Sequence, residues 1–222
     1  MKKFCFVFSK IFLMILMPVS GALVCAAATI PDPEVDAPLA KTKGEQTAVL
    51  AGGCFWGIQA VFQHVKGVID VKSGYSGGPA KKANYEMVST GETGHAESVR
   101  ITFDPSQVSF GQLLRVFFAV AHDPTELNRQ GPDRGAQYRS VIFHASEEQK
   151  RIAEAYIAQL NRLQLFPRQI VTQVVALDAF YEAESYHQNY ARLHPEEPYI
   201  YINDLPKVEN LQKQLPDLYV ER

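Results

Sequence analysis

The chain has 222 residues, 46% hydrophobic and 21% charged, with a formal net charge of −2, which suits one domain of ordinary size with its own core. It contains no cluster of lysine or arginine, so nucleic acid and anionic membrane surfaces are not expected as partners. Its only cysteines are Cys5, Cys25 and Cys54.

Residues 1–28 read as a secretory signal peptide. Three lysines lie within Met1–Lys10, an almost unbroken apolar run fills Ile11–Cys25, and the small residues of "AAAT" suit cleavage after about Ala28. An uncleaved anchor is the alternative, but Pro18, Ser20 and Gly21 interrupt a span already short for a bilayer. Lipid attachment at Cys25 is disfavoured by the bulk of Val24 before it. The expected location is therefore outside the cytoplasm, in the periplasm, with no stable membrane association after cleavage. Loss of Lys2, Lys3 and Lys10 takes the net charge from −2 to −5 and leaves Cys54 as the single thiol. The mature domain is then held by its core, and an odd cysteine in an exported chain is more often reactive than ornamental.

Residues 29–46, with three prolines and many charges, read as a flexible linker. A folded domain is expected over 47–206 and a C-terminal tail over 207–222. "TAVLAGG" (47–53) reads as a short buried strand. Residues 54–66 read as a helix with Ile58, Val61, Phe62 and Val65 on one face and Gly67 as its stop. "GVIDVKSGY" (67–75) is a strand, and "AESVRITFD" (96–104) alternates with Val99, Ile101 and Phe103 on one side. Ser109 and Gln112 form a capping-box pattern ahead of a helix, and Ser146 and Gln149 repeat it. Between these helices lie the long polar loop 122–139 and the strand "RSVIFHA". "QIVTQVVALDAF" (169–180) reads as the last strand, followed by a short helical piece around 182–192 and an irregular proline-bearing tail. This order predicts an α+β fold, a two-layer α/β sandwich with a mixed sheet and a split βαβ, ferredoxin-like core.

Three segments carry candidate chemistry. In "GGCFWGIQ" (52–59) the thiol of Cys54 sits where a strand ends and a helix begins. A helix N-terminus offers free N–H groups and partial positive charge, which lower a thiol pKa. Flanking glycines allow close approach of a ligand, and Phe55 and Trp56 can wall a small apolar pocket. A buried cysteine among core aromatics is the competing reading. In "TGHAES" (93–98), Glu97 shares the face of Val99, Ile101 and Phe103; burial there raises its pKa and makes it a proton donor. Otherwise it is a glutamate at a fraying strand end. Loop 122–139 has almost no apolar side chain, so hydrogen bonds or a task must hold it, and Asp133 and Tyr138 are its best-placed polar groups. A merely solvated loop is the alternative, and Tyr85 in isolation is an ordinary half-buried aromatic. The six histidines show no metal-ligand spacing and zinc would lack a second thiol, so no metal is expected.

Taken together, "GGCFWG", "GYSGG", "TGHAE", "HDPT", "NRQG", "QYRS" and "YHQNY" resemble, in order and spacing, the A-type peptide methionine sulfoxide reductases from about Ala48 to Pro206. The resemblance implies an α/β two-layer sandwich that reduces methionine (S)-sulfoxide in proteins and peptides, and free methionine sulfoxide as well, thereby repairing oxidative damage. By position it implies Cys54 as nucleophile and Glu97 as acid. Phe55 and Trp56 then hold the S-methyl group, Tyr85 and Tyr138 bind the sulfoxide oxygen, and Asp133 supports the site. It implies no bound cofactor. Ala136 departs from the family's usual threonine, and the tail lacks the cysteines that many members use to form a disulfide with the nucleophile. An external thiol, from a thioredoxin-like protein or a small molecule, is therefore the expected reductant, and a monomer the expected state.

The chemistry fits these residue types. Sulfoxide sulfur is electrophilic when its oxygen is protonated, which requires a thiolate on one side and an acid on the other. Two rivals stay open at this level: a cysteine hydrolase using Cys54 with His187, and a non-catalytic ligand-binding module.

Overall fold

The computed structural model describes Met1 and residues 30–222; the signal-peptide reading falls on residues outside these. Eight strands alternate with six helices: β1 (Gln46–Ala51), α1 (Phe55–Gln63), β2 (Val68–Ser76), α2 (Tyr85–Val88), β3 (Ala96–Phe103), α3 (Phe110–Val116), β4 (Arg129–Gln130), β5 (Asp133–Arg134), β6 (Val141–His144), α4 (Glu147–Arg162), β7 (Gln173–Ala176), β8 (Phe180–Glu182), α5 (Tyr190–Leu193) and α6 (Leu205–Gln214). Six strands form one sheet in the order β7-β6-β1-β3-β2-β8. Its centre, β6-β1-β3-β2, is antiparallel at every step, and β7 joins β6 in parallel. With β3 between β1 and β2, the β1–α1–β2 unit is a split βαβ, and the α+β sandwich with a mixed sheet is the observed fold.

The segment expected to be one last strand is two, and they lie on opposite edges of the sheet. Five steps of about 4.8 Å would set the edges of a flat sheet about 24 Å apart, yet the four steps from Ala176 to Phe180 reach at most about 14 Å. The sheet must therefore curl until its edges approach. The inside of the curl is filled by Val49, Ala51, Ala96, Val141 and Phe143, with Leu177 and Phe180 packed against them from the crossing segment. The other face carries the larger core, where Ile58 and Phe62 of α1, Leu113 of α3 and Ile152 and Leu160 of α4 meet Leu50, Val99 and Ile101 of the sheet.

Both N-caps form, the full box only at Ser109; at α4 the Gln149 side chain instead accepts the Ala145 N–H. Ser109 accepts the Gln112 N–H while Gln112 returns a bond to the Ser109 backbone, and Ser146 accepts the Gln149 N–H. The segment expected to be a linker carries no helix or strand over 30–45, yet it is tied down along α3 and α4. Tyr156 donates to the Pro31 carbonyl at 2.7 Å, the Gln159 side chain bonds Asp32 and Glu34, and Asp36 caps α3 through Ser109 and the Gly111 N–H. The tail is not irregular as expected: α6 straddles the boundary set at Pro206 and plants Leu211 in the core, with Leu215 and Leu218 behind it. Leucines at these spacings give the tail an apolar stripe that alternation with charge had obscured.

Candidate active site

Strand register brings the first two groups together. The β1–β3 ladder ends with Leu50 paired to Val99, and the same register carried two residues on leads to Gly52 on one chain and Glu97 on the other. The chain then turns at Gly53 and enters α1 with Cys54 as N-cap. Glu97 is buried, 2% exposed, and its Oε2 accepts the Phe55 N–H at 3.1 Å. The alternation that set Glu97 on the core face of β3 therefore gave its environment correctly.

The two glycines before Cys54 are required by the protein's own packing. A Cβ on Gly52 would meet His122 at 2.8 Å, and one on Gly53, whose φ is +97°, would meet Gln130 at 2.5 Å. Those two side chains fasten the polar loop. His122 bonds the Phe117 carbonyl at 3.0 Å and the Ser140 hydroxyl at 2.7 Å, and burial lowers its pKa to about 4, so it is neutral. Gln130 accepts from the Asp123 N–H and donates to the Asp123 carbonyl. Held in this way, the β4–β5 turn and the helical turn after it present Asp133 and Tyr138.

Cys54, Phe55, Trp56, Tyr85, Glu97, Asp133 and Tyr138 line one cleft of about 130 Å³, together with Tyr199. All seven residues singled out in the sequence meet there. The cleft admits the end of a side chain rather than a whole drug-sized ligand. Larger depressions lie beside the 30–45 segment and near Phe166, away from this chemistry. Each aromatic wall is anchored from behind. Trp56 stacks on Tyr190 at 3.9 Å and donates its indole N–H to His187 Nδ1 at 3.2 Å. Glu184 accepts the Tyr75 hydroxyl and the Tyr85 N–H, fixing the start of α2. The Tyr138 hydroxyl makes no hydrogen bond to another described residue, so its donor is free for a ligand.

Tyr199 is the residue that the sequence reading missed. Its hydroxyl donates to Asp133 Oδ2 and its ring meets Trp56 edge-on. "PYIY" carries no distinguishing spacing, and only the fold of the tail brings it to the cleft. Asp204 and Lys207 were missed for the same reason. Asp204 is fully buried against the first turn of α1, paired with Lys207 at 3.0 Å. A Cβ on Gly57 would strike Asp204 Oδ1 at 2.1 Å, which explains the last glycine of "GCFWG".

The electrostatics correct one expectation. Burial pushes the Cys54 thiol well above its ordinary range, with Glu97 and Asp204 adding to the rise; the Trp56 N–H and Lys207 oppose it without prevailing. The helix N-terminus is present, but desolvation outweighs it. Burial likewise raises Glu97 to about 8 against the Phe55 N–H, with Asp133 and Asp204 contributing. At neutral pH the resting site therefore holds both protons, a carboxylic acid beside a thiol. The Trp56 indole N–H occupies the Nδ1 lone pair of His187, so the ring, kept neutral by burial, carries its proton on Nε2 and has no lone pair left for the Cys54 thiol. Among the described residues no group of three His, Cys, Asp or Glu side chains is arranged to hold a metal ion.

The sequence model of the family described as peptide methionine sulfoxide reductase matches residues 46–218. A protein of Mesorhizobium japonicum named peptide methionine sulfoxide reductase MsrA 2 is 58% identical over 179 residues, covering 81% of this chain and 92% of its own. One of the same name from Synechocystis is 53% identical over 190 residues, covering 85% and 89%. Among solved structures, methionine sulfoxide reductase A of Corynebacterium diphtheriae superposes with a TM-score of 0.61 at 33% identity, over 75% of this chain and 84% of that one.

Proposed function

The chain belongs to the peptide methionine sulfoxide reductases, and we propose that it reduces the S epimer of methionine sulfoxide in proteins and peptides through a sulfenic acid on Cys54. The observation that carries this reading is the single cleft in which the thiol of Cys54 and the protonated carboxyl of Glu97 share a wall with two aromatics and three tyrosines.

In this reading the methyl group lies against Phe55 and Trp56, and the oxygen faces Glu97, Tyr85 and Tyr138. The sulfur then presents itself to Cys54 Sγ. Three unlike contacts on a pyramidal sulfur admit one epimer, because exchanging methyl and oxygen would bury the oxygen among aromatic rings. Glu97 gives its proton to the oxygen as Cys54 attacks, and the tyrosine hydroxyls steady the developing charge. Cys54–SH and the sulfoxide become Cys54–SOH and the sulfide, with no net change in protons. Asp133, held by Tyr199, contributes to keeping Glu97 in its acid form.

Reduction of the sulfenic acid falls to an external thiol, because residues 26–222 contain no cysteine besides Cys54. A thioredoxin-type protein suits an exported enzyme better than a small thiol, and the lysine-flanked apolar run of residues 1–28 is the support for export to the periplasm. The test is incubation of a racemic methionine sulfoxide peptide with excess dithiothreitol and chromatography of both epimers. Loss of one epimer is expected; loss of neither, or of both at equal rates, removes the assignment.

A further inference from the structure

Cys54 also lines a second, smaller cleft of about 90 Å³, bounded by Gln130, Gly131, Pro132, Asn203 and Lys207. The two clefts share only Cys54, Asp133 and Tyr199, so the hydrogen-bonded Asp133–Tyr199 pair partitions them with the sulfur in reach of both. The first holds the aromatic walls and Glu97. The second holds Lys207, the only cationic side chain lining either.

We propose that the second cleft is the entrance for the reducing thiol. The inference rests on the sulfoxide reductase reading and concerns its second half. The oxygen left on Cys54 comes from a sulfoxide seated among Glu97, Tyr85 and Tyr138, so the S–O bond points into the first cleft. Displacement at sulfur places nucleophile, sulfur and leaving atom in line. The incoming sulfur must therefore approach from outside the Glu97 cleft, and the second cleft reaches Cys54 through a lining that lacks Glu97, Tyr85 and Tyr138. The thiol R–SH gives up its proton and bonds to Cys54 Sγ, the S–O bond breaks, and the oxygen leaves as water after taking a proton. Cys54–SOH and R–SH become Cys54–S–S–R and water. A second thiol then releases Cys54–SH and the disulfide R–S–S–R. The cleft is wide enough for a CH2–S tip, from a small thiol or a cysteine side chain. Lys207, half-buried and 3.0 Å from Asp204, sets a positive charge along the thiolate's path.

The test separates the two half-reactions in the full chain. A sulfoxide peptide without reductant gives the methionine burst. Removal of peptide and addition of glutathione, or of a reduced thioredoxin-type protein, then gives the resolution rate of the Cys54 sulfenic acid. Gly131→Trp adds bulk at the rim of the second cleft, where a Cβ meets nothing within 4 Å although the φ of +54° strains any side chain, and Lys207→Gln removes the charge without bulk. Each variant is expected to lower the ratio of resolution to burst by about tenfold with glutathione, with or without a like effect for the protein. An unchanged ratio in both variants overturns the proposal. So does a deficit confined to the protein reductant, which would mark a docking face and not an entrance. If the tryptophan variant does not fold, the glutamine variant decides alone. A wild-type chain with no burst at all sinks the reductase reading instead.

Discussion

Replacing Glu97 with glutamine alters one property of the site and keeps the rest. The amide has the carboxyl's shape and its oxygen can still accept the Phe55 N–H that Glu97 takes at 3.1 Å, but it has no acidic proton to give. With Glu97 at about 8, acid outnumbers carboxylate by roughly ten to one at pH 7, and Cys54 titrates higher still. The resting pair thus holds two protons, whereas the transition state holds one, in flight from Glu97 to the sulfoxide oxygen. The thiol's proton has already gone to solvent. It follows that kcat/KM of the wild type rises about tenfold per pH unit until the pair loses its first proton near the Glu97 value of about 8. That apparent value belongs to the pair and not to either residue. The rate then levels, and falls when the second proton leaves.

In the Glu97→Gln variant both the thiolate and the proton depend on solvent. Thiolate gains tenfold per unit while hydronium loses tenfold, so the profile below the plateau is flat. The deficit should be about 10²–10⁴-fold on the plateau and shrink about tenfold for each unit of acidification below it. Methionine release from a sulfoxide peptide, followed under kcat/KM conditions from about pH 6 to about pH 9 in both proteins, measures it. A deficit that stays constant with pH, or a wild-type rate that falls between pH 6 and the plateau, would refute the two-proton description.

Cys54→Ser should abolish sulfoxide reduction while shifting the urea midpoint by less than the equivalent of about 1 kcal/mol, because a single sulfur contributes little to packing; residual turnover above a few per cent would contradict it. Tyr138→Phe removes a hydroxyl with no partner among the described residues, so stability should stay within about 0.5 kcal/mol while kcat drops about 10²-fold. A stability loss without a rate loss would make the hydroxyl structural. Gly57→Ala forces a Cβ onto the buried Asp204 carboxylate at 2.1 Å and should cost about 1–3 kcal/mol in equilibrium unfolding. An unperturbed midpoint would mean that Asp204 yields freely.

The legibility of this fold followed the length of each pattern. β3 has eight residues with clean alternation, so it disclosed both its core face and the burial of Glu97. The capping box at Ser109 and the N-cap at Ser146 are local chemistry and were readable as such. The division of residues 169–180 was not, because a β-rich run does not record that the sheet curls and that its two ends pair with opposite edges. Resemblance assembled seven site residues from four separate segments, which no spacing argument could join. It did not extend to Tyr199, Asp204 and Lys207, which come to the neighbourhood of Cys54 only through the path of the tail. The Cys54 pKa went astray for a different reason: the helix N-terminus is written in the sequence, whereas the desolvation that outweighs it depends on everything packed around the thiol.

The central claim is that the sulfoxide oxygen is transferred to Cys54. A peptide carrying heavy-oxygen-labelled methionine sulfoxide, mixed with the reduced chain in the absence of any thiol and quenched at once, tests it through mass spectrometry of the cysteine-containing fragment. The account predicts one labelled oxygen on Cys54 for each methionine formed, and no more than one methionine per chain. Methionine formed with the label in water or on another residue, and Cys54 unchanged, would contradict it.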